Sequence, residues 1–364
     1  MNIFEANDIK WMQRAIKLAA LATGTTSPNP MVGAIILDKN GKLISEGFHQ
    51  QSGMPHAEAM AFNNLRKDAK GGSLYVNLEP CCHQGRTPPC VEKIISSGLR
   101  KVYISIKDPD QRVSGKGIKL LKEAGIEVFL GLCEQEALEL NKSFIHRSLT
   151  GSSFGVLKWA MSMDGRIGLK NGESKWITNQ KSRSLVHDYR ANFDAIIIGG
   201  NTLRKDNPVL TTRGIKSIEP LRVVFTKTLN LPSKANLWNK ELAKTLVVYD
   251  SSTANEKYLD RIPDWIDVDK VSSDNPKLLA SLLAKKGCNN VLWECGPNLS
   301  TAAIKAGCIQ ELITFIAPKI LGGINSMNPL SDFQFNRMDE AIKLNLKSKA
   351  FIGKDICLKS LISN

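Results

Sequence analysis

No stretch of this 364-residue chain approaches the ~20 uninterrupted apolar residues that a membrane-spanning helix requires. The opening Met-Asn-Ile-Phe-Glu-Ala-Asn-Asp carries Glu5 where a secretory signal needs basic residues and an apolar core, so a cytoplasmic location is expected. Internal repeats, low-complexity segments, lysine-rich tails and blocks of like charge are all lacking. The net charge of +14 is instead dispersed. Residues 1–147 hold 19 basic and 15 acidic side chains, or +4, which leaves +10 for the rest. A surplus dispersed in this way makes a solvated surface that attracts anionic metabolites rather than a nucleic-acid partner, and with no long apolar stretch no membrane partner is expected. No Gly-x-Gly-x-x-Gly occurs, which speaks against a standard Rossmann dinucleotide fold. Eight cysteines in a cytoplasmic chain exclude a disulfide framework and read as metal ligands or buried apolar groups. Cys133, Cys288, Cys295, Cys308 and Cys357 lack a partner at metal-like spacing and are expected to be core thiols.

His56-Ala57-Glu58 is followed 22 residues later by Pro80-Cys81, and then by Cys90. One imidazole and two thiolates can hold zinc and leave its fourth position open for water. A nearby carboxylate can move protons to and from that water, which is the logic of zinc nucleobase deaminases. His56 and Glu58 stand about 200° apart on a regular helix, so they share a site only if His56 opens the helix after Pro55. Pro80-Cys81 is expected to open a second helix, whose positive end favours thiolates. Cys82 is a rival ligand. The Pro-Cys junction favours Cys81, with Cys82 packed behind the site.

Nucleic-acid deaminases read Pro-Cys-x-x-Cys, but here Gln84 stands three residues after Cys81 and Gly85 three after Cys82. Eight residues, Cys82 to Pro89, separate the two thiols, and their prolines stiffen the backbone. A stiff loop bearing His83, Arg86 and Thr87 suits a small phosphorylated substrate better than a threaded polynucleotide.

Strand and helix signals alternate throughout, which predicts an α/β fold. Asn7 or Asp8 is expected to cap a first helix reaching Leu21. Strands are expected at Val32–Leu37, Lys42–Glu46, Ser73–Leu78, Lys101–Ile106 and Glu127–Leu130, and a last helix at Glu134–Arg147. The polar break Leu149–Ser153 places a domain boundary, giving domains 1–148 and 149–364. The second half is expected to hold strands at Phe154–Ala160, Ala195–Ile198, Arg222–Phe225, Thr245–Tyr249, Asn290–Glu294 and Glu311–Ile316. Two of these end in glycine before a helix, at Gly199-Gly200 and Gly296. Glycine lets backbone approach a phosphate, and a helix N-terminus offers amide donors.

The run Pro-Cys-Cys-His-Gln-Gly-Arg-Thr-Pro-Pro-Cys, with Ser27-Pro28-Asn29-Pro30-Met31-Val32-Gly33 upstream, resembles the deaminase half of the bifunctional riboflavin-biosynthesis deaminase/reductase family. Leu157–Ile167, Gly172–Thr178 and Asn201–Pro208 are similar to its reductase half. The resemblance implies a cytidine-deaminase-like three-layer α/β/α domain followed by a dihydrofolate-reductase-like α/β domain. It implies one Zn2+ on His56, Cys81 and Cys90, with Glu58 as proton shuttle. It places Asn29, His49, His83 and Arg86 near a phosphoribosylaminopyrimidine. In the second half it implies NADPH on Ala160, Trp176, Thr202 and Asp206, with Gly296, Pro297, Asn298, Leu299, Ser300, Thr301 and Ala302 at its phosphates. Thr226 is a further candidate for the 2′-phosphate. Ser174, Arg190, Leu210, Arg213 and Glu294 are implied substrate contacts, with the two arginines suited to phosphate. Asp206 or Glu294 could assist proton delivery. A homo-oligomer is expected. Two rival classes remain: an RNA deaminase with an accessory domain, and a basic scaffold with structural zinc. A structural zinc normally takes four protein ligands, whereas three are evident here.

Overall fold

The computed structural model describes residues 4–82, 89–110 and 114–363. The chain divides into two compact units, Met1–Thr150 and Gly151–Asn364. No helix among the described residues is long and apolar enough to cross a membrane.

In the first unit, α1 (Ala6–Ala20) precedes the hairpin β1 (Gly33–Leu37) and β2 (Leu43–Phe48), then α2 (Ala57–Asn63) and β3 (Ser73–Leu78). They are followed by α3 (Cys90–Ser96), β4 (Lys101–Ile106), α4 (Lys116–Glu123), β5 (Glu127–Leu130) and α5 (Glu134–Thr150). The five strands are ordered β2-β1-β3-β4-β5, with β3, β4 and β5 parallel and the β1 pairings antiparallel. Successive β1 residues face opposite sides, as the strand period requires. Ala34 and Ile36 pack with Ala57, Ala61, Val91, Ile94 and Leu121 of α2, α3 and α4. Ile35 and Leu37 pack with Met12 and Ala15 of α1. On the α1 side, Tyr75, Tyr103 and Phe129 stack across three strands with centroids 4.5 and 4.8 Å apart. The helices sit close. A Cβ at Gly33 would lie 2.1 Å from the Ala15 carbonyl oxygen, so only glycine admits α1 there.

The second unit opens with β6 (Phe154–Ser162), α6 (Gln180–Arg190), β7 (Ala195–Gly199), α7 (Gly200–Asp206), β8 (Leu221–Thr226) and β9 (Thr245–Asp250). It continues with β10 (Asp267–Val271), α8 (Pro276–Lys285), β11 (Asn290–Trp293), α9 (Pro297–Lys305), β12 (Glu311–Ala317), β13 (Leu344–Ile352) and β14 (Asp355–Ile362). The nine-stranded order is β10-β9-β8-β7-β11-β6-β12-β14-β13, with every pairing parallel except the two that β14 makes, with β12 and β13. A parallel sheet covered on both faces needs apolar strands throughout, and Ala195–Ile198 and Thr245–Asp250 are buried along their length. Val186 of α6 and Leu203 of α7 cover one face, and Leu279 and Leu283 of α8 with Ala303 of α9 the other.

The chain leaving β7 turns to β8, whereas the chain leaving adjacent β11 crosses past β6 to β12. Opposite departures from neighbouring parallel strands open a crevice at their carboxyl ends, the position where such sheets bind ligands.

Several sequence expectations need correction. Glu5, not Asn7 or Asp8, is the N-cap of α1, and Asp8 is the third helical residue that closes the capping box. Helix α5 continues to Thr150, three residues beyond the expected end at Arg147 and into the expected polar break. Hairpin β13–β14 was not expected, because β13 is exposed at every residue but Ile352 and carries Lys347 and Lys349 among apolar residues. Cys288, Cys308 and Cys357 are buried, but Cys133 and Cys295 are only partly so.

Candidate functional site

His56 is the N-cap of α2, with extended backbone (φ −66°, ψ 162°), and Glu58 is the second helical residue. A first turn lets the two side chains converge where a mid-helix pair would diverge. Cys81 follows the end of β3, and Cys90 is the first residue of α3. Cys81 therefore opens no helix, contrary to expectation, because α3 starts only after Pro89. The helix end still reaches it, since the Cys90 amide donates to Cys81 Sγ at 3.3 Å.

Both sulfurs lie 3.5 Å from His56 Nδ1, and the three donor atoms fall within 4.8 Å of one another. Cys82 is not in this group and packs in part against the apolar cluster of the unit. The hydrogen bond with Cys90, and then that with His56, hold the Cys81 thiol well below its ordinary value, and the same Cys81–Cys90 bond pushes Cys90 up. A cation among these atoms would favour both thiolates, so the donor set fits zinc with an open fourth position. Glu58 is 4% exposed, and burial, with the Cys81 charge, pushes its carboxyl up to about 7. A carboxyl poised near neutrality suits general acid–base work.

Beside this cluster lies a cavity of about 800 Å3. Asn29 and His49 line it, with Asn29 Nδ2 3.0 Å from His49 Nε2. His49 Nδ1 stands 3.1 Å from the Pro55 carbonyl oxygen, so the network assigns the ring proton to Nδ1 and leaves Nε2 to accept from Asn29. Burial lowers the His49 pKa, consistent with a neutral ring. The expected contacts His83 and Arg86 lie outside the described residues. Sequence reading missed Asp108, Asp110, Phe144 and Arg147, which also line the cavity. The two aspartates sit just past the carboxyl end of parallel strand β4, and that position was the available signal. Glu79, 3% exposed, accepts from the Asp108, Gly115 and Ile118 amides and so ties that loop to the end of β3.

In the second unit, Thr202 and the Gly296 turn meet at the β7–β11 crevice. Thr202 lies on α7, and a Cβ at Gly296 would stand 3.9 Å from its Oγ1. The space over Gly296 is otherwise open. Pro297 begins α9, whose first turn has no side-chain cap, leaving the Asn298 and Leu299 amides without an intrahelical acceptor. This is an open backbone cradle of the kind a phosphate fills, so the residues present fit a dinucleotide. Ser300 and Thr301 are buried and bonded to Cys295 and Ser331, so they shape the turn rather than face outward. Leu299 is partly buried, and Ala302 half-buried. Thr226 is 5% exposed and packs beneath Gly200, so it supports the α7 turn. Ala160 lies on β6, Asp206 ends α7, and Trp176 is 60% exposed with the Arg183 guanidinium 4.5 Å from its ring.

Glu294 follows β11. Its carboxylate takes a bidentate pair from Arg190 at 2.7 and 3.1 Å, with Lys158 Nζ 3.6 Å away. Arg190 thus commits Nε and Nη2 to Glu294, while its Nη1 donates to the Thr211 carbonyl oxygen at 3.3 Å. Burial raises the Glu294 carboxyl, but Arg190 and Lys158 outweigh it and hold the group down at about 2. A group so firmly ionised is a poor proton donor. Lys158 was overlooked in the sequence, where a lysine within the otherwise apolar expected strand Phe154–Ala160 was the signal. Ser174 is half-buried, and Leu210 and Arg213 hold left-handed backbone (φ 57° each) on a loop with Asn207 (φ 41°). Non-glycine residues held there concentrate at binding sites.

Comparison with known proteins agrees with this geometry. Residues 5–106 match the family model for the cytidine and deoxycytidylate deaminase zinc-binding region, and residues 153–358 match the RibD C-terminal domain. The riboflavin biosynthesis protein RibD of Synechocystis sp. is 41% identical over 351 residues, covering 96% of this chain and 95% of that protein. The chain belongs to the RibD family. RibD of Aquifex aeolicus is 37% identical over 96% of this chain and 97% of its own length. The RibD structure of Acinetobacter baumannii superposes with a TM-score of 0.88 at 36% identity, over 98% of this chain and 99% of that one. The Thermotoga maritima diaminohydroxyphosphoribosylaminopyrimidine deaminase/5-amino-6-(5-phosphoribosylamino)uracil reductase gives 0.86 at 32% identity, over 98% and 99%. The chain is therefore a bifunctional deaminase/reductase of riboflavin biosynthesis, with a zinc-binding deaminase domain ahead of the reductase domain.

Proposed function

We propose that residues 1–148 deaminate 2,5-diamino-6-(5-phosphoribosylamino)pyrimidin-4(3H)-one, and that residues 149–364 reduce the ribosyl side chain of the product to ribityl with NADPH. The grouping of His56, Cys81 and Cys90, with His56, Cys81 and buried Glu58 lining one 800 Å3 cavity, carries the first half of this reading. Zinc on the three ligands would supply the Lewis acid that makes water a nucleophile near neutral pH. Glu58 takes the proton of the attacking water and returns it to the departing amino group. Asn29 and His49 fix the ring, while Asp108 and Asp110 offer acceptors to its amino substituents.

The crevice between β7 and β11 supports the second half. Thr202, Gly296, Asn298 and Leu299 would hold the phosphates, and Ala160, Trp176 and Asp206 flank them; NADPH would supply the hydride. Ser174, Leu210, Arg213 and the Glu294 group would hold the substrate. Lys158, an ammonium beside an ionised carboxylate, replaces Glu294 as the candidate proton donor.

All eight cysteines are free, which suits a reducing, cytoplasmic compartment that cell fractionation would check. The exposed edge strand β13, with Leu344, Leu346 and Phe351 on its surface, supports association of two copies, readable by sedimentation velocity.

The test is product analysis of the diaminopyrimidine ribotide with purified protein. The deaminated ribosylaminouracil should form without NADPH, and the ribityl compound only with it. Reduction without prior deamination, or neither product, would overturn the assignment.

A further inference from the structure

A phosphorylated substrate brings negative charge into a cavity whose described wall carries Glu58, Glu79, Asp108 and Asp110. Among the described lining residues one side chain bears a permanent positive charge, Arg147. It stands in the last turn of α5, next to Ser148, which lines the same cavity. Its Nη2 donates to the Pro28 carbonyl oxygen at 2.8 Å. Pro28 adjoins Asn29, which reaches the His49 ring beside His56. Two turns earlier on α5, Asn141 is 1% exposed and both donates to and accepts from the Met31 backbone at 2.9 and 2.8 Å. The 28–31 loop and α5 are therefore locked together, and Arg147 is fixed at the cavity wall before any substrate arrives. A guanidinium has five N–H donors in a planar fork, so anchoring Pro28 is compatible with meeting a phosphate.

Resting on the deaminase reading above, we propose that Arg147 binds the 5′-phosphate of the pyrimidine ribotide and sets the preference for it over the unphosphorylated riboside. Arg86, the cation that the sequence suggests for this region, lies outside the described residues and does not enter the argument. The alternative is that Arg147 serves only to hold Pro28 and to complement the carboxyl end of α5.

The kcat/KM of ribotide and of riboside separates these roles, measured for wild type, Arg147→Gln and Arg147→Lys with zinc content as a control for folding. Binding of phosphate predicts that the ribotide-to-riboside ratio falls roughly tenfold to a hundredfold in Arg147→Gln, mainly through KM, the weight of a charge-assisted hydrogen bond. Arg147→Lys keeps the charge without the fork, so the ratio should fall only a few-fold, and this variant carries the comparison should the glutamine variant not fold. A ratio unchanged in both, with both substrates slowed equally, would leave Arg147 a structural anchor and overturn the proposal. A wild-type protein that deaminates neither compound would sink the functional reading itself, and the proposal with it.

Discussion

In the first unit the chemistry rests on four side chains carried by two helix starts and one strand end: His56, Glu58, Cys81 and Cys90. In the second unit the candidate cofactor site is largely backbone, at the ends of two neighbouring parallel strands, and its charged group Lys158–Glu294–Arg190 is internally paired. A site made of side-chain identities fails when one atom type changes. A site made of backbone and paired charge degrades by degrees. The two units should therefore respond to substitution on different scales.

The largest effect is expected at Glu58. Glu58→Gln keeps shape and removes the proton carrier, so deamination should fall about 10²–10⁴-fold. Reduction of added deaminated intermediate should stay near wild type, and parallel loss of both would remove the contrast. Lys158→Met comes next in the second unit. Hydride transfer should slow by about ten- to a hundredfold in kcat with little change in NADPH affinity, because the ammonium is assigned to the reacting end of the substrate. A Kd for NADPH that rises as much as kcat falls would make Lys158 a cofactor contact instead.

Acid should separate the units by stability. The Glu294 carboxyl is held at about 2, below its ordinary 4.5, so its contribution is complete above pH 4.5 and is lost as pH falls toward 2. That contribution is on the order of 3 kcal/mol. Thermal melts between pH 6 and 3 should show the wild type losing its advantage over Glu294→Gln as pH drops. A constant gap would mean that the pair does not titrate as described. The smallest effect is expected at Gly296→Ala. A Cβ there meets only Thr202 Oγ1, at 3.9 Å, so the fold should tolerate it while the phosphate cradle narrows. NADPH affinity should weaken by a few-fold, about 1 kcal/mol, read by fluorescence titration.

The same contrast explains what the sequence disclosed. Metal chemistry restricts ligands to a few residue types, so His56, Cys81 and Cys90 were legible from type and spacing. The apolar runs Ala195–Ile198 and Val223–Phe225 were legible because buried parallel strands are predominantly apolar. Arg190 and Glu294 lie 104 residues apart, and nothing local shows that each is the other's partner. Asp108 and Arg147 also needed the fold, because only the parallel order β3-β4-β5 brings the end of β4 and helix α5 to the cavity that holds His56. The expected helix at Cys81 failed for a different reason. Proline is compatible with a helix start without dictating one, and here Pro89 rather than Pro80 is followed by the helix.

The central claim is that two independent sites act in sequence, the first alone dependent on zinc. The measurement that tests it most directly is chelation of the purified protein, with zinc analysis, followed by assays of each step with its own substrate. About one zinc per chain should be removed, deamination of the ribotide should vanish and return on adding zinc, and NADPH-dependent reduction of the supplied intermediate should persist. Deamination that survives full removal of the metal, or reduction that is lost with it, would contradict the account.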